Sequence, residues 1–245
     1  MKHLKNIIFS SHIIKNLSII EENEAQIIND VQNAFNHALK LFSFDKSFFN
    51  IIIEKSDDIS IPYSIVFVTK SNTQDEQIKL GVLLQYIRLY LESIGLGSHI
   101  ITKKQLKISG WFPLVKLAFG EKGEIIKHSH YKKGGEITNY PMQNDSDIAR
   151  ILEAAAFAPS ILNFQAWSYQ FSKINNDTST YEFTVDDASN LLTKATVKYR
   201  LMEIGITLCN FIISSYDIFE LDITYSNIKG IPPVSISVKP YKNNF

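Results

Sequence analysis

Residues 76–97 read EQIKLGVLLQYIRLYLESIGLG. Wound as a helix, the run is apolar on nearly every side. Its polar members Gln85, Arg88 and Glu92 fall three and four apart, with Gly81 one turn earlier, and trace one narrow stripe. The pattern predicts a helix over about 76–94, buried on most of its surface. Residues 199–221, YRLMEIGITLCNFIISSYDIFEL, repeat the pattern. They predict a second buried helix over about 199–217, with Glu203, Thr207, Asn210, Ser214 and Asp217 as its stripe. Placing Gly81 on Gly205 superposes the two runs without a gap, at an offset of 124 residues, about half the chain.

The flanks repeat as well. Each half reads helix, strand, strand, helix, strand. In the first half the pieces are EAQIINDVQNAFNHALKLF, FFNIIIEK, YSIVFVTK, the long helix and LVKLAFG. In the second they are SDIARILEAAAFA, AWSYQFS, YEFTV, the long helix, and LDITYS with PVSISVK. The strands are short, β-branched and aromatic. This implies an α+β fold of two similar halves, packed as an internal pseudo-dimer through their apolar helices. Neither half is stable with such a surface exposed. Two unrelated α+β units of similar size are the alternative. The expected division is residues 1–127, a connecting segment 128–144, and residues 145–245. The junction lies in the polar, glycine-containing run from Glu121 to Asn144.

Composition narrows the function classes. The chain has 245 residues, 45% hydrophobic and 20% charged, with a formal net charge of +0. That is globular, with no global basic field to recruit nucleic acid or an acidic membrane. The single cysteine forms no intramolecular disulfide, which favours a reducing compartment. The opening MKHLKNIIFSSHIIKN is too short for a membrane span and lacks a small-residue cleavage site. A cytoplasmic, soluble protein is expected. Cys209 sits mid-helix among apolar neighbours, as a core thiol does. His128 and His130 stand two apart without the further ligands a metal site needs, so no metal is expected. Neither GxGxxG nor a P-loop is present, and no side chain is assigned a catalytic role.

The stretch AFAPSILNFQAW, residues 156–167, sets two amides among bulky apolar neighbours just past a helix stop. Pro159 cannot continue the helical hydrogen bonding. Ser160 offers a hydroxyl and a backbone N–H, and the amides of Asn163 and Gln165 both donate and accept. The pattern resembles the Ala-Pro-Ser-x-x-Asn-x-Gln-Pro-Trp signature of the nitroreductase family. Three further elements follow that family's order: GLGS at Gly95–Ser98 after a long apolar helix, HSHYKKGGEI at His128–Ile137, and YRLMEIGITL at Tyr199–Leu208. The last is similar to a helix start in a branch where two subunits are fused into one chain.

The resemblance implies a nitroreductase-like fold binding FMN between the halves. The glycine segment would come from the first half and the Pro-Ser segment from the second. It implies that Pro159, Ser160, Asn163 and Gln165 face the flavin, with Trp167 in the core. The backbone from Ser98 through Ile100 and Ile101 to Thr102 would run beside the reactive ring nitrogen. The region around AFNHALKLFSFD carries no Pro-Ser motif, so at most one FMN per chain is expected, in a monomer that mimics a dimer. The chain departs from the family at the phosphate clamp. Ser10, Ser11, His12 and Lys15 stand where an arginine-rich opening is expected, and His130, Lys132 and Lys133 remain of the later basic stretch. Phosphate is normally held by guanidinium forks or several N–H donors. Ala166 also replaces the signature's proline. The expected function is an FMN-dependent NAD(P)H oxidoreductase acting on an electron-poor acceptor such as a nitroarene or quinone. The alternative is a cofactor-free protein of the same fold that binds a ligand or partner.

Overall fold

In the computed structural model the described residues are 1–10, 13–14, 16–20, 23–56, 61–101, 108–123, 125–126, 132–142, 146–161, 165, 167–173, 180–187, 199–228 and 232–241. The expected α+β architecture is present. Helices α1 (Lys2–Ser10), α2 (Glu24–Leu41), α3 (Gln74–Ser93), α4 (Asp147–Ala156) and α5 (Arg200–Ser215) pack with antiparallel sheets. In the first half, β3 (Phe49–Lys55) pairs with β4 (Tyr63–Thr69), β4 with β6 (Phe112–Lys122), and β6 with β5 (Leu96–Ile101). In the second, β8 (Trp167–Lys173) pairs with β9 (Tyr181–Asp187), β9 with β11 (Val234–Pro240), and β11 with β10 (Phe219–Tyr225). The strand order is therefore the same in both halves, and a long helix joins the second strand to the third in each. Two short strands attach to the first half: β2 (Leu17–Ser18) extends its sheet, and β1 (Ile13–Ile14) pairs with β7 (Ile125–Ile126).

Helices α3 and α5 cross at the two glycines aligned from sequence. A Cβ at Gly81 would lie 2.1 Å from the Met202 carbonyl oxygen, and one at Gly205 would lie 1.9 Å from that of Ile78. The contacts are reciprocal under the 124-residue offset, as two-fold packing requires. They explain why glycine stands mid-helix in both, despite its poor helix propensity. Burial is correspondingly deep: even Gln85 and Arg88 of the α3 stripe are buried, and Gln85 Nε2 donates to Asn210 Oδ1 across the crossing at 2.9 Å. Cys209 is a buried thiol, as expected.

Three features were not read from the sequence. The glycine segment forms strand β5: Gly95, at φ 88°, ends α3 in the left-handed conformation and turns the chain directly into the sheet. The opening residues form α1 rather than an irregular run. The junction also packs in part, since Ile137 is buried and Thr138 bridges to Tyr169. No helix among the described residues is long and apolar enough to cross a membrane.

Gly81→Ala or Gly205→Ala must push the helices apart at a backbone–backbone contact. Each is expected to cost about 3 kcal/mol, lowering Tm by about 10 °C at this chain length. Gly135→Ala, whose Cβ would meet only the Met142 side chain at 3.7 Å, should stay within about 0.5 kcal/mol. Thermal unfolding of the three variants checks this. Burial also shapes the pH response. It pushes Tyr86 from 10.0 up to about 12 and raises Tyr169 and Tyr225 further. Unfolded tyrosine ionises near pH 10 while these three stay protonated, so above that pH the native state binds more protons than the unfolded one. Their contribution is complete below about pH 10 and is lost as pH rises through 10 to 12. Denaturant midpoints measured from pH 7 to 11 should be flat and then fall, and Tyr169→Phe should flatten the fall.

Candidate functional site

Ser146 caps the start of α4 by accepting from Ala149 N at 3.1 Å. Pro159 prevents the helix from continuing, which leaves its last carbonyls without intrahelical donors. The polar stripe of α5 reaches two of these carbonyls, of which Ala155 O also accepts from Ala158 N at 3.2 Å. Asn210 Nδ2 donates to Ala154 O at 2.9 Å, and Thr207 Oγ1 donates to Ala155 O at 2.8 Å. Thr207 is placed in turn by Tyr169, whose hydroxyl lies 3.2 Å away. Glu203, buried in the first turn of α5, accepts from Ile161 N at 2.8 Å. The stripe therefore holds the end of α4 and the start of the next loop from outside both.

Gln165 closes that loop. Its Nε2 donates to Ala156 O at 2.9 Å and to Ala158 O at 3.3 Å. Its Oε1 accepts from Lys132 N at 2.7 Å, and its backbone carbonyl accepts from Lys132 Nζ, also at 2.7 Å. Its own N–H reaches Ser160 Oγ at 3.2 Å. The residue is buried, with φ 45°, a conformation that a non-glycine residue keeps only when its surroundings over-determine it. The side-chain amide thus holds this segment together, with one N–H on the last α4 carbonyl, at Ala156, and the other on that of Ala158 just past the helix. Among the described residues, one lone pair of Oε1 has no further donor, the Ser160 hydroxyl accepts from Gln165 and keeps its own hydrogen to donate, and Lys132 keeps two N–H groups.

Named contacts link some of the segments singled out in the sequence. The Phe9 ring, one residue before the end of α1, meets the Phe157 ring edge-on at 5.2 Å. This ties the opening segment to the Pro-Ser loop. Strand β1 lies against β5 and pairs with β7. From Ile126 the chain reaches Lys132 in six residues, a span of at most about 20 Å, and Lys132 is bonded to Gln165. Ser98 is buried in β5, while Ile100 and Ile101 are half-buried. Strand β5 pairs only with β6 among the described strands, so its other edge carries no ladder. Lys133 is exposed, and its backbone N–H donates to Glu136 Oε2 at 2.7 Å. Trp167 is fully buried, as expected. Ser11, His12, Lys15, Thr102, His130 and Asn163 lie outside the described residues, as does the Ser10 side chain. No group of three metal-ligating side chains occurs among the described residues. Glu203, Thr207 and Asn210 were visible in the sequence as a stripe, but nothing there assigned them to the α4 carbonyls. Phe9 and Phe157 gave no signal.

The matching place in the first half is built differently. Ahead of β3, Phe44 packs edge-on against Tyr225 of β10, with ring centroids 6.3 Å apart, and lies 6.0 Å from Phe49. Lys79 Nζ lies 5.8 Å from the Phe44 centroid and 5.0 Å from that of Tyr225. Aromatic rings fill this place, where the sequence of the second half has the Pro-Ser segment.

Residues 15–215 match the model of a protein family described as "Putative TM nitroreductase". The chain belongs to this nitroreductase family. Among solved structures, a "putative nitroreductase" from Thermotoga maritima is similar over 97% of this chain and 93% of its own, with TM-score 0.65 and 16% identity. That likeness shows the nitroreductase fold. An FMN-dependent nitroreductase from Clostridium difficile covers 51% of this chain and 90% of its own, with TM-score 0.41 and 14% identity. Nitroreductase CinD from Lactococcus lactis, in complex with nicotinic acid, covers 54% and 95%, with TM-score 0.46 and 12% identity. No curated protein matches the chain.

Among the described residues, the donors left over at the loop are the Ser160 hydroxyl hydrogen and two N–H groups of Lys132. Gln165→Ala should leave two α4-side carbonyls and the Lys132 N–H without partners. The expected cost is about 3 kcal/mol, read as a lower urea midpoint, whereas Lys133→Ala should shift it by less than about 0.5 kcal/mol.

Proposed function

We propose that the chain is an FMN-dependent NAD(P)H oxidoreductase acting on a small electron-poor acceptor such as a nitroarene or quinone. Bound FMN would supply the hydride exchange, and the protein would supply orientation, hydrogen bonds and shielding from water. In this reading Pro159 and Ser160 shape one wall, Ser160 donates its hydroxyl hydrogen, and Asn163 and the free lone pair of Gln165 meet polar ring edges. The Ser98–Thr102 backbone, including Ile100 and Ile101, offers N–H donors. Ser10, Ser11, His12, Lys15, His130, Lys132 and Lys133 serve the phosphate. No side-chain acid or base is needed. The observation that carries the reading is the Pro-Ser loop itself, preformed by Gln165, Glu203 and Lys132 beside the opening segment and the connecting segment.

The same proposal divides the chain at 1–127, 128–144 and 145–245, and places it in the cytoplasm as a monomer. One FMN per chain is expected, because Phe44 and Tyr225 pack together where a second site would need space. A second reading, a cofactor-free ligand or partner protein, draws on the engaged Gln165 amide and the absence of a clamp arginine.

The test begins with the absorbance spectrum of the purified protein and an FMN titration. The oxidoreductase reading expects one FMN per chain with Kd below about 100 μM, or about −5.5 kcal/mol. Ser10→Arg with Ser11→Arg should tighten binding about tenfold. NAD(P)H oxidation that never exceeds the protein-free rate at saturating FMN would remove the oxidoreductase reading. Flavin bound only by the double-arginine variant would favour the second.

A further inference from the structure

We propose that the first half carries a separate small-ligand site, for a planar aromatic ring bearing one anionic group. It is a cleft of about 500 Å³ between α2, the turn before β3, and Trp111. That volume suits a mono- or bicyclic compound. None of its lining residues belongs to the proposed flavin site, so it stands apart from that reading.

The floor is apolar: Phe35, Leu39 and Phe49 line the cleft and are 1%, 3% and 4% exposed. Trp111 is half-buried and supplies an aromatic wall. A flat ring buries most area against such surfaces at little conformational cost. The polar groups are open to a ligand. Asn36 makes no hydrogen bond among the described residues, and Asn50 uses only its Oδ1, on the Ile51 N–H.

The charge balance decides the sign. Lys46 lines the cleft, and Lys70 holds its ammonium 4.0 Å from the Trp111 ring centroid while donating to Gly110 O. Neither pairs with a carboxylate among the described residues. Asp45 also lines the cleft, but its Oδ1 accepts the Ser47 N–H at 2.8 Å and so serves the turn. Two ammonium groups against one carboxylate favour an anion, and a lysine over an indole face strengthens that field at the wall.

The experiment uses the two tryptophans as internal probe and control. In 15N-labelled full-length protein, the Trp111 indole N–H signal, assigned with Trp111→Phe, is followed during titration. The probes are 2-naphthoate, neutral 2-naphthamide and ring-less acetate. The Trp167 ring is fully buried, so its signal should stay fixed. A saturating shift at Trp111 is expected with naphthoate, at a Kd of about 1 mM or tighter, and about fivefold weaker with naphthamide. Lys46→Ala should bring the two within about twofold. The site is refuted if there is no saturation up to about 10 mM, a level covering the weakest ligand sites. Acetate acting as strongly as naphthoate, naphthamide binding as tightly, or an unchanged preference in Lys46→Ala would equally refute it. Both substituted residues lie outside the buried core, so loss of folding does not mask the outcome.

Discussion

The contact between Gly81 and Gly205 sets the distance at which the two halves meet. With no side chain at either position, the α3 and α5 backbones approach until each glycine lies over the other helix's carbonyls. The approach is possible in one register only, because any Cβ there would overlap the Met202 or Ile78 oxygen. The register in turn determines the neighbouring pairs along both helices. One turn further, Gln85 meets Asn210, and Tyr86 lies close enough to Cys209 for their charges to interact. These pairs exchange under the 124-residue offset, so the local two-fold extends past the glycines.

That register places the polar stripe of α5 against the end of α4. A helix stopped by proline inside a protein faces a solvation problem, because buried carbonyls cost free energy unless they find donors. Here Asn210 and Thr207 serve the last turn, and Gln165 serves the carbonyls of Ala156 and Ala158 just ahead of the proline. Glu203 takes the amide of Ile161, one residue past Ser160. Each donor or acceptor comes from elsewhere in the chain. The described ends of the Pro-Ser segment, at Ile161 and Gln165, are therefore tied to the helix and to the connecting segment by side chains distant in sequence.

Much of this was legible in the residues. The near-continuous apolar character of 76–97 and 199–221, with one glycine each, gave both buried helices and their mutual packing. The β-branched runs gave most of the strands. The features missed arise from tertiary context. Leu96–Ile101 gave no strand pattern because Gly95 precedes it and Gly97 interrupts it, and only pairing with β6 makes it a strand. For Gln165, residue type shows hydrogen-bonding capacity but not which protein groups use it. Its partners at Ala156, Ala158 and Lys132 become neighbours only after the loop has folded.

The offset also accounts for the inequality of the two halves. Glu203, Thr207 and Asn210 correspond to Lys79, Leu83 and Tyr86 on α3. Leucine has no polar group, a lysine cannot accept an amide hydrogen, and Tyr86 meets the Phe42 ring edge-on at 5.7 Å. Helix α3 therefore cannot supply the set of side chains that α5 gives to an interrupted helix. Helix α2 instead runs 18 residues against 10 for α4, and the backbone N–H groups of Phe42, Ser43 and Phe44 just past it serve the carbonyls of Ala38, Lys40 and Leu39. The connection after it turns inward with Phe44, which packs on Tyr225. Lys79, paired with Asp75 at 3.1 Å, covers both rings. Three positions on one helix face thus separate the half whose α5 serves the end of α4 from the half that closes over rings. That difference in hydrogen-bond supply arises within a frame that is otherwise closely similar in the two halves.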